Sequence, residues 1–163
     1  PTDLAYLAIH EPELVDYIFR LEGLTVLDAS VTVNNIIDGE SYRCRFHQKE
    51  GGCLLKQHHR ESICRHFVCP GIGWWKIEEL NSWKDFFDLL SDYEIELNNR
   101  IAAALSGQGL SLRDPRQREK WFEELLKLYQ RELLNPPDFF KSLPEIQTVT
   151  FTVALTFGKE WPL

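Results

Sequence analysis

Long apolar runs are missing from this 163-residue chain. No stretch approaches the roughly 18 consecutive apolar residues that are needed to span a bilayer, so the sequence predicts no membrane segment. The amino-terminal segment holds several acidic side chains and neither a basic nor an apolar stretch, so no secretory signal is visible. We therefore expect a cytoplasmic protein.

Several motifs that identify enzymes are missing as well. The chain has no phosphate-binding glycine loop, no dinucleotide-binding fingerprint, no H-E-x-x-H zinc helix and no G-x-S-x-G nucleophile turn. Its net charge of −7 also argues against a protein that binds nucleic acid over its whole surface. The sequence thus names no reaction, and whether the protein is an enzyme stays open.

Cysteine occurs only at Cys44, Cys53, Cys64 and Cys69, within a window of 26 residues, and is absent from the 137 residues outside that window. Four thiols within 26 residues have the stoichiometry of one all-cysteine metal site or of two disulfides. In a reducing compartment such a cluster favours metal binding, and a chain of this length needs no covalent staples. We predict that the four cysteines bind a zinc ion, with an iron–sulfur cluster as the alternative cofactor.

The spacing of the four cysteines contains no C-x2-C pair, so it is not that of a zinc ribbon or a ferredoxin. A hairpin whose turn is centred between residues 48 and 49 would place Cys44 opposite Cys53 on adjacent strands. A short helix over about 60–67 would supply Cys64, with Cys69 just past its end. These two pairs would complete a closed tetrahedral site.

The cysteine segment is a basic island in an acidic protein. Between residues 43 and 65 there are six basic and two acidic residues, a net charge of +4. The rest of the chain therefore carries −11. Four arginines beside the site would offset the negative charge that four thiolates leave on a divalent metal: Arg43, Arg45, Arg60 and Arg65. The same segment holds four histidines that offer mixed ligation in place of a cysteine: His47, His58, His59 and His66.

The segment resembles the YkgJ-like cysteine-cluster family of zinc- or iron-chelating proteins. The resemblance is carried by Cys44 with Phe46, by Cys53 before an aliphatic pair, and by the run from Arg60 to Phe67 that contains Cys64. Glu61 stands where that family usually has proline, and the family's upstream cysteines are absent. The resemblance covers residues 44–69 and implies a metal site at the first three cysteines, without an established chemistry.

Hydrophobic periodicity predicts a mainly helical α+β domain over residues 1–163, with a small antiparallel sheet or hairpin carrying the metal-binding module at about 42–73. Helices are predicted over about 3–21, 82–105 and 114–134, and strands over 25–37 and 147–157. Pro12 is expected to begin a second helix within the first range, and Asp114 followed by Pro115 to cap the last. The apolar stripes of the two long helices are predicted to form the core, with Trp83, Phe86, Phe87, Leu90, Leu97 and Ile101 on the first and Trp121, Phe122, Leu125, Leu126, Leu128, Tyr129 and Leu133 on the second.

We therefore predict a metal-binding protein that acts through a partner or ligand, whose identity the sequence leaves open. The alternative is a metal-dependent or thiol-redox enzyme that uses the same cysteine and histidine residues, with Glu50 or Glu61 as the acidic candidate for a general base. Two disulfides in an exported protein are the third reading.

Overall fold

A computed structural model describes residues 1–33, 44–47, 53–62, 64 and 74–144, together with residues 148, 150 and 152. Its described part holds four α-helices and one two-stranded antiparallel sheet. The predicted α+β class is confirmed in this coarse form. None of the helices in this part of the chain is long and apolar enough to cross a membrane.

The chain begins with two short helices, α1 over Thr2–His10 and α2 over Pro12–Ile18. Pro12 occupies the first turn of α2, where its missing N–H costs no hydrogen bond. Glu11 breaks the helical path between them with φ −144° and ψ 59°. The predicted division of this region into two helices at Pro12 is confirmed.

The predicted single strand over 25–37 is wrong in the part that the structure describes. Thr25–Val26 (β1) and Val31–Thr32 (β2) instead form a hairpin, with Thr25 opposite Thr32 and Val26 opposite Val31. The chain reverses because the Leu27 amide donates to the Ser30 carbonyl at 2.9 Å. The reversal falls at Asp28, Ala29 and Ser30, which are poor strand formers and interrupt the run of β-favouring residues.

Two long helices form the rest of the framework. Helix α3 spans Asn81–Gly107 and helix α4 spans Arg118–Leu133, close to the predicted ranges. Before α4 the Asp114 carboxylate accepts a hydrogen bond from the Arg116 amide, which is the predicted cap followed by proline. Short 3-10 turns lie at Gln57–His59, Trp74–Lys76, Glu78–Leu80, Pro115–Gln117 and Asp138–Lys141.

The main core lies between α1, the second half of α3, and α4. Trp121 and Leu125 of α4 are fully buried there against Leu97, Ile101 and Leu105 of α3. The predicted stripe on α4 is correct at its centre but wrong at Leu133, which is 57% exposed. On α3 the predicted core residues before position 97 are only partly buried. They are Trp83, Phe86, Phe87 and Leu90.

A second, smaller core cluster lies under the cysteine segment. It is built from Leu7 of α1, from Val15 and Ile18 of α2, and from Phe46, which is 6% exposed. Phe46 fixes the cysteine segment to the first two helices, because burying a phenylalanine side chain stabilises its position by roughly 1.5–3 kcal/mol. Most of the predicted strand over 147–157, half of the predicted helix over 60–67, and Cys69 lie outside the described residues.

Candidate functional site

Three cysteines from separate parts of the cysteine segment line one cavity of about 180 Å³. Cys44, Cys53 and Cys64 meet there, although 20 positions separate the first from the last. The cavity lies beside the second core cluster, and its apolar wall includes Leu7, Ile18 and other residues of that cluster. Its polar lining includes Asp3, His59, Arg60 and Glu61.

A tight turn positions Cys44. The His47 amide donates to the Cys44 carbonyl at 2.9 Å, which reverses the chain over Cys44–His47 and directs Phe46 into the core. This turn overturns the predicted register. Cys53 forms an antiparallel bridge with His47 rather than with Cys44, and the Leu54 amide donates to the Phe46 carbonyl at 2.8 Å.

Backbone hydrogen bonding holds the segment around Cys53. The Leu55 amide lies 3.4 Å from the Cys53 sulfur, towards which it donates. Arg60 closes the following loop, because its Nε donates to the Leu55 carbonyl at 2.9 Å and its Nη1 to the Gln57 side chain at 2.8 Å. A sulfur that already accepts an amide hydrogen bond is suited to carry the negative charge of a metal-bound thiolate.

The environment of Cys64 favours its neutral form. Partial burial, followed by the charges of Glu61, Cys44 and Cys53, raises the pKa of the Cys64 thiol, and Arg60 opposes this shift. Cys64 remains exposed to solvent, and the charges that face it act on its pKa together with its partial burial. Partial burial and the nearby Asp3 carboxylate also raise the pKa of Glu61.

The candidate histidines are placed differently from one another. His59 lines the cavity, but its Nε2 contacts the Glu11 Oε1 at 3.1 Å. The rings of His59 and His58 also pack edge-on, with their centroids 4.1 Å apart. His47 and His58 are exposed and absent from the lining, and His66 lies outside the described residues.

The ligand types favour a metal ion, whereas the positions of the side chains do not form a metal-binding group. Three cysteines that line one cavity suit a thiophilic ion such as zinc. In the part of the chain that the structure describes, however, no three Cys, His, Asp or Glu side chains form a group that could hold a metal ion. Cys44, Cys53 and Cys64 are free thiols, so no disulfide links them.

Asp3 is the residue of this cavity that the sequence did not indicate. It comes from the first turn of α1, some 40 positions before Cys44, and reaches the cavity because α1 packs beside the cysteine segment. An acidic residue in a first helical turn is common as a partner of the helix dipole, so its position carried no sign of this second role.

Arg60 was predicted as part of the charged shell, and the structure places it at the cavity beside Cys64. Arg45 instead donates to the Glu22 carbonyl at 3.2 Å, and Arg43 and Arg65 lie outside the described residues. Trp74 and Trp75, which follow the cysteine segment in the chain, are not among the residues that line the cavity.

Comparison of the chain with models of protein families, with curated proteins and with solved structures finds no match. The resemblance to the YkgJ-like cysteine-cluster family therefore stays a prediction that rests on residues 44–69 alone.

Proposed function

We propose that this chain binds a thiophilic metal ion through Cys44, Cys53, Cys64 and Cys69, with zinc as the ion and an iron–sulfur cluster as the alternative. The observation that supports the proposal is the convergence of three cysteines on one cavity. A four-thiolate site of this kind stabilises a local structure, through which the protein would act on a partner.

On this proposal, metal binding rearranges the cysteine segment. The described sulfurs do not form a ligand group, so the loops that carry them must come closer together around the ion. The local energetics allow such a change, because Phe46 is the only buried side chain among the residues of this segment that the structure describes. Binding free energy then becomes folding free energy of the segment.

The alternative of a thiol-redox enzyme receives less support from the cavity. A cysteine nucleophile reacts as its thiolate and is activated by neighbours that lower its pKa. At Cys64 partial burial and Glu61 raise the pKa instead. A thiol held neutral in this way suits a latent metal ligand, which loses its proton when the cation arrives.

The proposal is tested by elemental analysis of protein that is purified without chelator or reductant, together with a visible spectrum taken under anaerobic conditions. We expect about one zinc per chain and a colourless sample. A brown sample with bound iron would assign the iron–sulfur alternative. A total metal content below about 0.5 per chain would contradict metal binding.

A matched pair of variants identifies the ligands. We expect Cys53→Ser to lose the metal and to melt at a lower temperature, as the chelator-treated protein does. Lys56→Ala alters an exposed side chain of the same segment outside the cavity and should keep both metal and melting temperature. Full occupancy in Cys53→Ser would show that Cys53 is not a ligand.

A further inference from the structure

A cavity of about 570 Å³ lies between the first two helices and the start of α4. It is larger than the cysteine cavity, and its volume is within the range of roughly 300–1,000 Å³ that is usual for sites that bind small molecules. Among the described residues, none lines both cavities. Most of the wall is apolar, with residues from both sides of the cleft: Ala8, Pro12, Val15, Phe19, Pro115 and Phe122.

Arg118, the first residue of α4, is the one half-buried charge among the residues that line this cavity. Its Nε is buried without a hydrogen-bond partner, and its guanidinium carbon lies 4.2 Å from the centre of the Phe19 ring. In the described part of the chain its Nη1 and Nη2 atoms have no hydrogen-bond partner either, but they are not buried. These two nitrogens are therefore the donors of Arg118 that a ligand can reach.

The position of Arg118 favours the binding of an anion. A half-buried guanidinium without an acceptor costs free energy, because it has given up hydrogen bonds to water. The start of a helix adds to this cost, since it carries a partial positive charge of its own. An anion at Nη1 and Nη2 would offset the charge in both respects. A carboxylate suits this position, because its two oxygens match the spacing of two guanidinium nitrogens.

The other charges of the cavity narrow the choice of ligand. They belong to three exposed residues, Asp16, Arg20 and Glu119. Arg20 donates from its Nε to the Asp16 carbonyl at 3.1 Å. Together with Arg118 these residues make the lining neutral, so a ligand with several negative charges, such as a phosphate, gains little from it. A ligand with one negative charge meets the half-buried Arg118, whereas water and salt screen the exposed charges.

We propose that this cavity binds a small monocarboxylate with an apolar chain. Nη1 and Nη2 of Arg118 hold the carboxylate, and the chain lies against the apolar wall between α2 and α4. Binding at this cavity requires no metal at the cysteines, so the inference goes beyond the proposed function and does not depend on it.

The test is a calorimetric titration of the full chain with octanoate, below its micellar concentration and at fixed ionic strength. Two control ligands each lack one half of the proposed recognition: octanamide has no charge, and propionate has a short chain. We expect octanoate to bind at least roughly tenfold more tightly than either control, because the charged hydrogen bonds and the burial of the chain both contribute. Equal affinity for octanoate and one of the controls, or no heat from octanoate, would overturn the proposal.

A matched pair of arginine variants tests the carboxylate site. Arg118→Gln removes the guanidinium charge and should weaken octanoate binding roughly tenfold, while the weaker binding of octanamide should not change. Arg131→Gln alters an exposed arginine of the same helix outside the cavity and should bind octanoate like the original chain.

A matched pair of alanine variants tests the apolar wall. Ala8→Leu fills part of the cavity and should weaken the binding of octanoate more than that of propionate. Ala103→Leu, at an exposed position of α3, should leave both affinities unchanged. The melting temperature of each variant shows that it is folded, and its zinc content separates this test from that of the cysteine site. Unchanged octanoate affinity in both Arg118→Gln and Ala8→Leu would place any binding elsewhere and overturn the assignment.

Discussion

At Cys64, one thiol shares a small cavity with two carboxyl groups and two further thiols. After burial, Glu61 has the largest influence on this thiol, and it raises the pKa because a thiolate beside a carboxylate is disfavoured. The effect of removing that carboxylate can be measured directly, since alkylating reagents attack the thiolate.

We expect Glu61→Gln to lower the pKa of Cys64 and so to speed its alkylation by iodoacetamide in the metal-free protein at mildly alkaline pH. Peptide mass spectrometry follows the rate at this residue. Glu79→Gln, an exposed substitution away from the cavity, should leave the rate unchanged. An unchanged rate in Glu61→Gln would show that the Glu61 charge does not reach the sulfur.

The buried start and the exposed end of α4 differ in how much a side chain contributes to the free energy of unfolding. Trp121 is 0% exposed and Leu133 is 57% exposed, although both belong to the same predicted stripe. We expect Trp121→Ala to lower the free energy of unfolding by about 3–5 kcal/mol, and Leu133→Ala by less than about 1 kcal/mol. Urea unfolding measures both values. A comparable loss at Leu133 would mean that another surface covers that end of the helix.

Among the elements, the end of α3 shows how backbone conformation alone sets the effect of a substitution. Gly107 is the last residue of the helix, whereas Gly109 follows it with φ +73°. A Cβ at either position would meet nothing within 4 Å. An added Cβ therefore gains no packing at either glycine, and only the backbone conformation differs between the two positions.

We predict opposite signs for two alanine substitutions at this helix end. Gly107→Ala should raise the free energy of unfolding by about 0.5–1 kcal/mol, because alanine loses less conformational freedom on folding. Gly109→Ala should lower it by about 1 kcal/mol, because a Cβ is strained at positive φ. Denaturant titration checks both values, and a shared sign would contradict this account of the turn.

The sequence predicted the helices well because their signals are local: Pro12 and Pro115 in first turns, Asp114 as a cap, and a continuous apolar period. It could not predict the register at Cys53, which depends on a turn between Cys44 and His47. One hydrogen bond in that turn decides which residue stands opposite Cys53.

The candidate site was predictable in part for a related reason. A count of cysteines indicated a cluster, and three of the four sulfurs do line one cavity. The contribution of Asp3 depends on the packing of α1 beside that cluster, a contact between residues far apart in the chain. No spacing rule reports such a contact.

Across the whole molecule, the described core is concentrated at one end of α3. Leu97, Ile101 and Leu105 are buried, whereas residues 81–96 contribute no fully buried side chain. The first half of the helix packs instead through partly exposed rings, such as the contact of Phe87 with Trp74 at 5.9 Å between centroids. Local stability should follow this division.

We expect the amides of residues 97–105 to exchange with deuterium at the rate of global unfolding. Those of residues 85–94 should exchange faster, because fewer buried contacts must be broken to open that half. Hydrogen-exchange mass spectrometry on the full chain resolves the two halves. Equal protection along the helix would show that a further surface covers residues 81–96.

Asp3 lines both the cysteine cavity and another cavity, which lies between α1, α3 and the end of α4. One carboxylate therefore contributes to the electric field in both cavities. A zinc ion at the cysteines would be attracted by this charge, so we expect Asp3→Asn to weaken zinc binding, which a competition titration with a zinc-binding dye measures. Unchanged zinc affinity would show that the charge of Asp3 does not reach the site.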